Sequence, residues 1–425
     1  MNKISGASDQ DGSGDFLHCH SASTSTFREV HMPYTKRQFL KAATAVGAAG
    51  LLPTIAGSRV ARADEPINVG ILHSLTGSIA IAEIGVTEAE RLAIEEINAS
   101  GGVLGKQIRV VMEDGASDNP IFAEKAQKLL ASDKCAAVFG CYTSASRKAV
   151  LPVFERYKGL LYYPTHDEGL EFSKNIIYTG ADGVQCAFPA IDWLMQNKGK
   201  KFYLIGSDFI FPRTINRISR AKIKKDGGEV VGEDYEPLGA TDFQSFIAKI
   251  KAAKPDAILS TIVGDSNVSF YKQLNAAGLS DIAQSIVALA VGEEEARGIG
   301  PENLVGVNSC MGYFQSVDTP ESKKFATAFK KRYGENRVVG DVMECGYISV
   351  YLWKLAVEKA GTFDVEKVVA ASSDLPFDAP EGKVKIHATN HRLWKHARIG
   401  KFRADGQLDI VHETPLIEPV PFPKL

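Results

Sequence analysis

The sequence predicts an α/β fold with two similar lobes, each built on a doubly wound parallel sheet. From Ile67 onward, short apolar runs typical of buried strands alternate with amphipathic helical segments. This alternation favours parallel sheets that are covered by helices on both faces. The number of strand and helix units is more than one sheet accommodates, and 425 residues are enough for two or three domains.

The N-terminal 63 residues differ from the rest of the chain. Residues 5–31 are rich in Ser, Gly, Thr and His without apolar periodicity, which predicts a disordered extension. TKRQFLK, a modest apolar stretch and Ala61-Arg62-Ala63 then form the pattern of an export signal, with a mature chain that begins near Asp64. KRQFLK resembles a twin-arginine signal with Lys36 in place of the first arginine, which leaves the export route open, and Met32 is a candidate start.

The composition is that of a soluble globular protein. Apolar residues make up 44% of the chain, charged residues 24%, and the net charge is −2, so nothing calls for a nucleic-acid partner. Five cysteines follow the signal without a CxxC spacing, and their odd number means that at least one is unpaired within the chain.

The elements follow one another in a regular rhythm. A helix over 86–102 ends at Gly101-Gly102, which is a helix C-terminal signal. Further helices are predicted at 119–132, from about Ser144, and at 184–197, 212–225, 242–253, 265–277, 320–332 and 341–360. Strands are predicted at 67–72, 108–114, 136–140, 160–164, 175–180, 201–206, 229–236, 256–263 and 285–290. Residues 383–387 and 397–413 are predicted as short strands, with Asp405-Gly406 as a hairpin turn.

Ligands of open parallel sheets lie beyond the carboxyl ends of the strands. The residues in the loops at those positions are mostly small, hydroxyl-bearing or aromatic, and few of them are charged. They are residues 73–79, 140–146, 164–169, 207–213, 263–267 and 290–294.

These loops resemble a known family, the type I periplasmic binding proteins for urea and short-chain amides, which deliver ligand to ABC importers. The resemblance covers essentially the whole chain from about Ile67 to Pro423. The stretches that carry it include VGILHSLTGSIA, EEINASGGVLGKQI, AVFGCYTSASRKAVLPVFE, GLLYYPT, IGSDFIFPRT, GDSNVSFYKQL, RGIGPENLVG and FDAPEGKVKI. GDSNV, FPRT and RGIGPENLVG are closer to the urea-importer branch.

The resemblance implies two Rossmann-like lobes joined by three crossovers and closing on a ligand. It places lobe 1 at 66–180 and 312–372, and lobe 2 at 181–311 and 373–425. It implies a periplasmic protein whose partners are a small ligand and an inner-membrane ABC permease, without a cofactor.

The hydroxyl loop after the third strand, GCYTSAS, lacks the second glycine of a G-x-S-x-G nucleophile elbow. Ser144 or Ser146 instead suits a helix N-cap that leaves backbone N–H groups facing an electronegative ligand atom. In the family this loop touches ligand, so Tyr142, Thr143 and Ser144 are candidate binding residues, although a capping role alone would also explain them.

The segment PTHDEGLE departs from the family, which has an uncharged residue followed by Tyr where His166 and Asp167 stand. Asp167 either faces the cleft, where it accepts from N–H groups or pairs with a cation such as guanidinium, or points outward or pairs with His166. Phe209 and Phe211 stand where the amide-sensor branch tends to show Tyr, which predicts a more apolar wall. The remaining ligand-binding candidates are Ser74, Tyr163, Thr165, Asp265 and Glu293.

The predicted function is capture of urea or a closely related small amide by an exported receptor of an ABC importer. A cytoplasmic-type amide sensor and a receptor for guanidine are the alternatives. An amidohydrolase would need a nucleophile and base that the motifs do not supply. The His-x3-His pattern near His387 falls in a predicted hairpin rather than on a helix, so no metal is expected.

Overall fold

The first lobe contains a five-stranded parallel sheet. The computed structural model describes residues 65–424. The first sheet has the order β2-β1-β3-β4-β5 and is parallel throughout. Its strands are β1 (Ile67–His73), β2 (Ile108–Asp114), β3 (Val138–Gly140), β4 (Leu161–Tyr163) and β5 (Ile176–Tyr178).

Helices follow each of these strands except β4. They are α1 (Ala80–Ala99), α2 (Asn119–Ala131), α3 (Ser144–Tyr157) and α4 (Gly183–Asn197). The helix that was predicted over 86–102 therefore begins six residues earlier. Pro120 lies in the first turn of α2, where its missing N–H costs nothing, and Asp118 caps that helix through the N–H of Ile121.

The second lobe contains a seven-stranded sheet of order β15-β14-β10-β9-β8-β6-β7. Strands β6 to β10 pair in parallel, whereas β14 and β15 add antiparallel strands at one edge. The strands are β6 (Lys201–Ser207), β7 (Glu229–Glu236), β8 (Ala257–Thr261), β9 (Ile286–Ala288), β10 (Asn308–Met311), β14 (Arg398–Phe402) and β15 (Leu408–Glu413). Gly406 adopts a φ of 78° in the predicted hairpin turn, a conformation that glycine adopts without strain.

Helices connect the strands of the second sheet, and a further group of helices follows β10. The connecting helices are α5 (Ile210–Lys225), α6 (Gln244–Ala253), α7 (Ser266–Ala276), α8 (Ser280–Ala283), α9 (Glu293–Ile299) and a 3₁₀ turn at Pro301–Asn303. The later helices are α10 (Pro320–Tyr333), α11 (Asp341–Ala360) and α12 (Val365–Ser372). No helix within residues 65–424 is both long enough and apolar enough to cross a membrane.

Strands β11 (Pro376–Ala379), β12 (Gly382–Ile386) and β13 (Leu393–Trp394) form a small antiparallel sheet. Their buried residues Val384, Ile386 and Leu393 belong to the same core as Ile71, Phe139 and Trp353 of the first lobe. This packing differs from the expected assignment of 373–394 to lobe 2, because the apolar residues of these strands share a core with Trp353 of α11 and Val368 of α12. We therefore propose that lobe 2 resumes near Lys395. The predicted extension and signal, residues 1–63, lie outside the described residues.

Candidate functional site

A cavity lies between the two large sheets, where the carboxyl ends of their strands face each other. Its wall comprises Tyr142, Thr143, Ser144, Thr165, His166 and Val342 from the first lobe and Phe209, Phe211, Val263, Leu289, Ala290 and Met311 from the second. The cavity volume is about 30 Å³, room for roughly two water molecules. Most of the wall is apolar.

The chain turns sharply from β3 into the wall at Gly140 and Cys141. A Cβ atom at Gly140 would lie 2.0 Å from the carbonyl oxygen of Leu72, and its φ is 149°. Only glycine fits this close approach of two backbones. Cys141 follows with a left-handed φ of 62°, and its N–H donates to the same carbonyl. The turn presents the next three residues to the cavity.

Helix α3 begins at the cavity wall with two backbone N–H groups that have no partner within residues 65–424. Thr143, rather than the expected Ser144 or Ser146, is the N-cap, because its extended backbone lets its hydroxyl accept from the N–H of Ser146. The N–H groups of Ser144 and Ala145 precede the first intrahelical hydrogen bond. Such N–H groups and the positive end of a helix favour an electronegative ligand atom.

The backbone at Tyr142 is fixed by two hydroxyl groups. Tyr163 and Thr165 both donate to the carbonyl oxygen of Tyr142, each at 2.7 Å. Burial, and then the negative charges of Glu295 and Glu83, raise the pKa of the Tyr142 phenol well above its usual value. The Tyr142 side chain is therefore a neutral phenol on the cavity wall.

The Ser144 hydroxyl belongs to a buried ionic network behind the wall. It donates to Oε2 of Glu168 and accepts from Nη1 of Arg147 at 3.3 Å. Arg147 is fully buried and also donates to Oε1 of Glu168 at 3.1 Å and to Glu171 at 2.8 Å. Hydrogen-bonded carboxylates on both sides are what a buried guanidinium requires.

His166 lies on the wall and is held from behind by an acidic residue. Its Nε2 lies 2.8 Å from Oδ2 of Asp341 at the start of α11. Burial alone would raise the pKa of Asp341, but hydrogen bonds from His166 and the Tyr313 N–H, with the charge of Lys395, hold that pKa below its usual value. The imidazole is thereby fixed between the cavity and a carboxylate.

Asp167 is not part of the wall. Its carboxylate accepts from Arg392 at 2.7 and 3.1 Å and from the N–H of Gly169 at 2.7 Å, and both charged side chains are completely buried. The alternatives of a cleft-facing carboxylate and of a pair with His166 do not match this arrangement. A buried carboxylate needs a cation, and Arg392 supplies it from beside β5.

Four other predicted binding residues also lie off the cavity wall. Ser74 lines a neighbouring cavity of about 140 Å³ that shares Thr143 and Phe209 with the first. Tyr163 stands behind Tyr142, and Asp265 is exposed at the start of α7. Glu293 is buried: its Oε1 accepts from the Gln315 N–H at 2.6 Å, and its Oε2 has no partner among the described residues.

Seven of the twelve predicted residues, Tyr142, Thr143, Ser144, Thr165, His166, Phe209 and Phe211, are thus brought together on one wall. Their role in ligand binding stays a prediction. The sequence argument missed Val263, Leu289, Ala290, Met311 and Val342, which are apolar residues at strand or helix ends. Val263, Leu289 and Ala290 follow β8 and β9, Met311 ends β10, and Val342 lies in the first turn of α11. Apolar residues at such positions resemble ordinary core.

The cysteines in the part of the chain that the structure describes are buried and unpaired: Cys135, Cys141, Cys186, Cys310 and Cys345. Burial raises the pKa of the Cys141 thiol well above its usual value, so this side chain is a thiol and not a nucleophilic thiolate. No cluster of potential metal ligands occurs between residues 65 and 424.

Comparison with family models identifies the chain. The model described as "Periplasmic binding protein domain" matches residues 67–425. The chain belongs to this family of periplasmic binding proteins. A model of the twin-arginine translocation signal matches residues 33–53, which supports an exported, periplasmic protein despite the lysine at position 36.

Relatives of this periplasmic binding protein cover most of its length. It is 27% identical over 384 residues to the Leu/Ile/Val-binding protein homolog 7 of Brucella melitensis biotype 1, covering 84% of this chain and 94% of the relative. It is 24% identical over 375 residues to the Leu/Ile/Val-binding protein homolog 8 of Brucella abortus, covering 81% of this chain and 90% of the relative.

Solved structures share the fold. A solute-binding protein of an ABC transporter from Rhodopseudomonas palustris BisB5, in complex with 3,4-dihydroxybenzoic acid, aligns with a TM-score of 0.75 at 23% identity over 83% of this chain and 98% of that chain. A branched-chain amino acid transporter substrate-binding protein from Streptococcus pneumoniae, in complex with isoleucine, aligns with a TM-score of 0.72 at 23% identity. The alignment covers 84% of this chain and 100% of that chain. The expected α/β fold with parallel-sheet lobes is confirmed.

The family and its neighbours establish the general role. The protein is a periplasmic solute-binding component of an ABC transporter and not an enzyme. A small-molecule ligand and an ABC permease are the partners expected for this family. The urea and amide branch inferred from the loops is a finer assignment than these comparisons make.

Proposed function

We propose that this periplasmic binding protein captures a small neutral amide, either urea or a short aliphatic amide, for an ABC importer. The observation that carries the proposal is the size of the cavity between the lobes. A volume of about 30 Å³ corresponds to roughly two water-sized spheres. Urea and acetamide, with four non-hydrogen atoms each, come closer to this space than benzoate or isoleucine, which have more than twice as many.

The polar groups of the wall suit an amide. The unpartnered N–H groups at the start of α3 can donate to a carbonyl oxygen, and the Ser144 hydroxyl oxygen can accept from an amide N–H. Burial makes each such hydrogen bond selective, because a ligand that leaves one of these groups unpaired bears the full cost of desolvation.

Among the small amides, the wall favours those with an alkyl group. Phe209 and Phe211 carry no hydroxyl, and Val263, Leu289 and Met311 complete an apolar surface opposite the polar loop. Urea has a second amino group that would meet this surface without an acceptor. The methyl or ethyl group of acetamide or propionamide would bury apolar area there instead.

A small carboxylate is the second candidate. The helix N-terminus and His166 on the wall both favour an anion, and two structural neighbours were solved with 3,4-dihydroxybenzoic acid and isoleucine. Those two ligands exceed the volume of this cavity alone and would have to extend into the neighbouring cavity of about 140 Å³ that shares Thr143 and Phe209.

A thermal-shift screen of the exported form tests the proposal. Binding to the folded state alone raises the melting temperature, so acetamide and propionamide should raise it most, urea less, and guanidinium, isoleucine and 4-hydroxybenzoate not at all. Stabilisation by the acids without stabilisation by any amide would overturn the proposal. An ammonia assay on the same samples should show no amide hydrolysis.

A further inference from the structure

Glu168 stands directly behind the cavity wall without lining it. Its carboxylate accepts from the Ser144 hydroxyl through Oε2 and from Arg147 through Oε1 at 3.1 Å, with the ammonium of Lys148 3.6 Å from Oε1. Glu168 and Ser144 are both buried, 2% and 1% exposed. No motif or spacing in the sequence connects Glu168 to Ser144.

The hydrogen bond from Ser144 to Glu168 has one direction only. A carboxylate accepts hydrogen bonds and has no hydrogen to donate, so the hydroxyl must supply it. A serine hydroxyl has a single hydrogen and two lone pairs. Arg147 donates to one lone pair, which leaves Ser144 with one lone pair and no hydrogen for the cavity.

We infer that Glu168 is a positioning residue that makes the Ser144 hydroxyl an obligate acceptor, so that the site selects a ligand bearing N–H over the corresponding carboxylate. The inference rests on the proposed function and adds the reason for its specificity. An amide presents N–H to Ser144 and its carbonyl oxygen to the N-terminus of α3. A carboxylate of the same shape presents oxygen to both, and the oxygen facing Ser144 is repelled.

Arg147 makes the role of Glu168 testable by a nearly isosteric change. In Glu168→Gln the amide oxygen must remain on Arg147, because two donors cannot face each other, and the amide NH2 then faces Ser144. Ser144 would accept from that NH2, and its hydroxyl hydrogen would be free to point into the cavity. The substitution thus reverses the polarity of Ser144 and leaves the cavity wall unchanged.

Glu171→Gln is the matched control. Glu171 accepts from the same guanidinium at 2.8 Å and from Lys148, and it makes no contact with Ser144. Its substitution removes one negative charge from the same network. Any general electrostatic preference for an anion therefore appears in both variants, whereas a change in Ser144 polarity appears only in Glu168→Gln.

The experiment is calorimetric titration of the exported protein with acetamide and with acetate, after circular dichroism has shown that each variant folds. Glu168→Gln should lower the ratio of acetamide to acetate affinity by at least about tenfold, which is the effect of one hydrogen bond on binding. Glu171→Gln should leave the ratio within about twofold. In a Ser144→Ala background Glu168→Gln should no longer change the ratio.

Ser144→Ala by itself keeps the inference testable if Glu168→Gln does not fold. It should weaken acetamide binding about tenfold and leave acetate binding equal or stronger, since only an acceptor is lost. A folded Glu168→Gln with an unchanged ratio, or weaker acetate binding by Ser144→Ala, would overturn the inference while the proposed function stands. Wild-type binding of acetate in preference to acetamide would overturn both.

Discussion

Arg392 and Asp167 lie 225 positions apart in the chain and form a fully buried ion pair with hydrogen bonds of 2.7 and 3.1 Å. The pair ties the segment before β13 to the loop that carries Thr165 and His166. It therefore supports the cavity wall from outside the cavity, and the guanidinium also lies 4.0 Å from the centre of the Tyr178 ring.

Substitution of Asp167 should affect stability and not ligand choice. Asp167→Asn leaves the buried guanidinium of Arg392 without its counter-charge, so we expect a loss of roughly 3–5 kcal/mol in the free energy of unfolding. The affinity for urea should not change, and guanidinium should still not bind. Chemical denaturation and calorimetry measure these two quantities. Asp378→Asn, which breaks the exposed pair with Lys383, is the control and should have no measurable effect.

The two hydroxyl donors to the Tyr142 carbonyl should act together. Thr165→Val removes one of them and leaves Tyr163 in place, so it should cost about 1 kcal/mol of stability and a few-fold in amide affinity. Tyr163→Phe should behave alike. The double variant leaves a buried carbonyl unpaired and should cost more than the sum of the two; strict additivity in denaturation would show that this carbonyl is otherwise satisfied.

Glu293 should make stability fall as the pH rises. Burial raises the pKa of its carboxyl from 4.5 to about 8, so between these values the folded state holds a proton that the unfolded state has released. Stability is then full below about pH 4.5 and is lost progressively up to about pH 8. Glu293→Gln keeps an acceptor for the Gln315 N–H and removes the titration.

The melting temperatures of wild type and Glu293→Gln, measured from pH 5 to pH 9, check this sign. The melting temperature of the variant should rise relative to that of the wild type as the pH increases, and the difference between the two should level off above about pH 8. Burial also raises the pKa of Asp182, to about 7. Asp182 therefore makes the stability of both proteins fall with rising pH, in the same direction as Glu293 does in the wild type. Parallel profiles for the two proteins would rule out the assigned titration.

A hydroxyl on the aromatic wall should shift preference toward urea. Phe211→Tyr places an acceptor on a surface that otherwise offers none to a second amino group. We expect the ratio of urea to acetamide affinity to rise several-fold, about one neutral hydrogen bond's worth. Calorimetry on both ligands measures it. A ratio that falls or stays constant would mean that the second amino group does not face Phe211.

The fold and the position of several residues on the cavity wall could be predicted from sequence because both follow from local patterns. Alternating apolar strands and helices predicted the two sheets, and residues just after parallel strands predicted Tyr142, Thr143, Thr165 and Phe209. The long-range partners could not be predicted. Nothing near Asp167 indicates Arg392, and nothing near His166 indicates Asp341, since these pairs arise only when the crossovers bring distant segments together.

The aliphatic part of the cavity wall was missed for a related reason. Leu289 and Met311 are chemically identical to core residues, and only their place in the folded chain shows that they line a cavity. The proposed shift of the lobe boundary from residue 373 to about Lys395 has a similar reason, because short antiparallel strands carry no signal of which core they cover.

Titration of the wild-type protein with acetamide and 4-hydroxybenzoate, in parallel and by calorimetry, tests the central proposal most directly. The small cavity and the acceptor-only Ser144 predict saturable binding of acetamide with one site per chain and no heat of binding for 4-hydroxybenzoate. Saturable binding of 4-hydroxybenzoate without binding of acetamide would contradict the account.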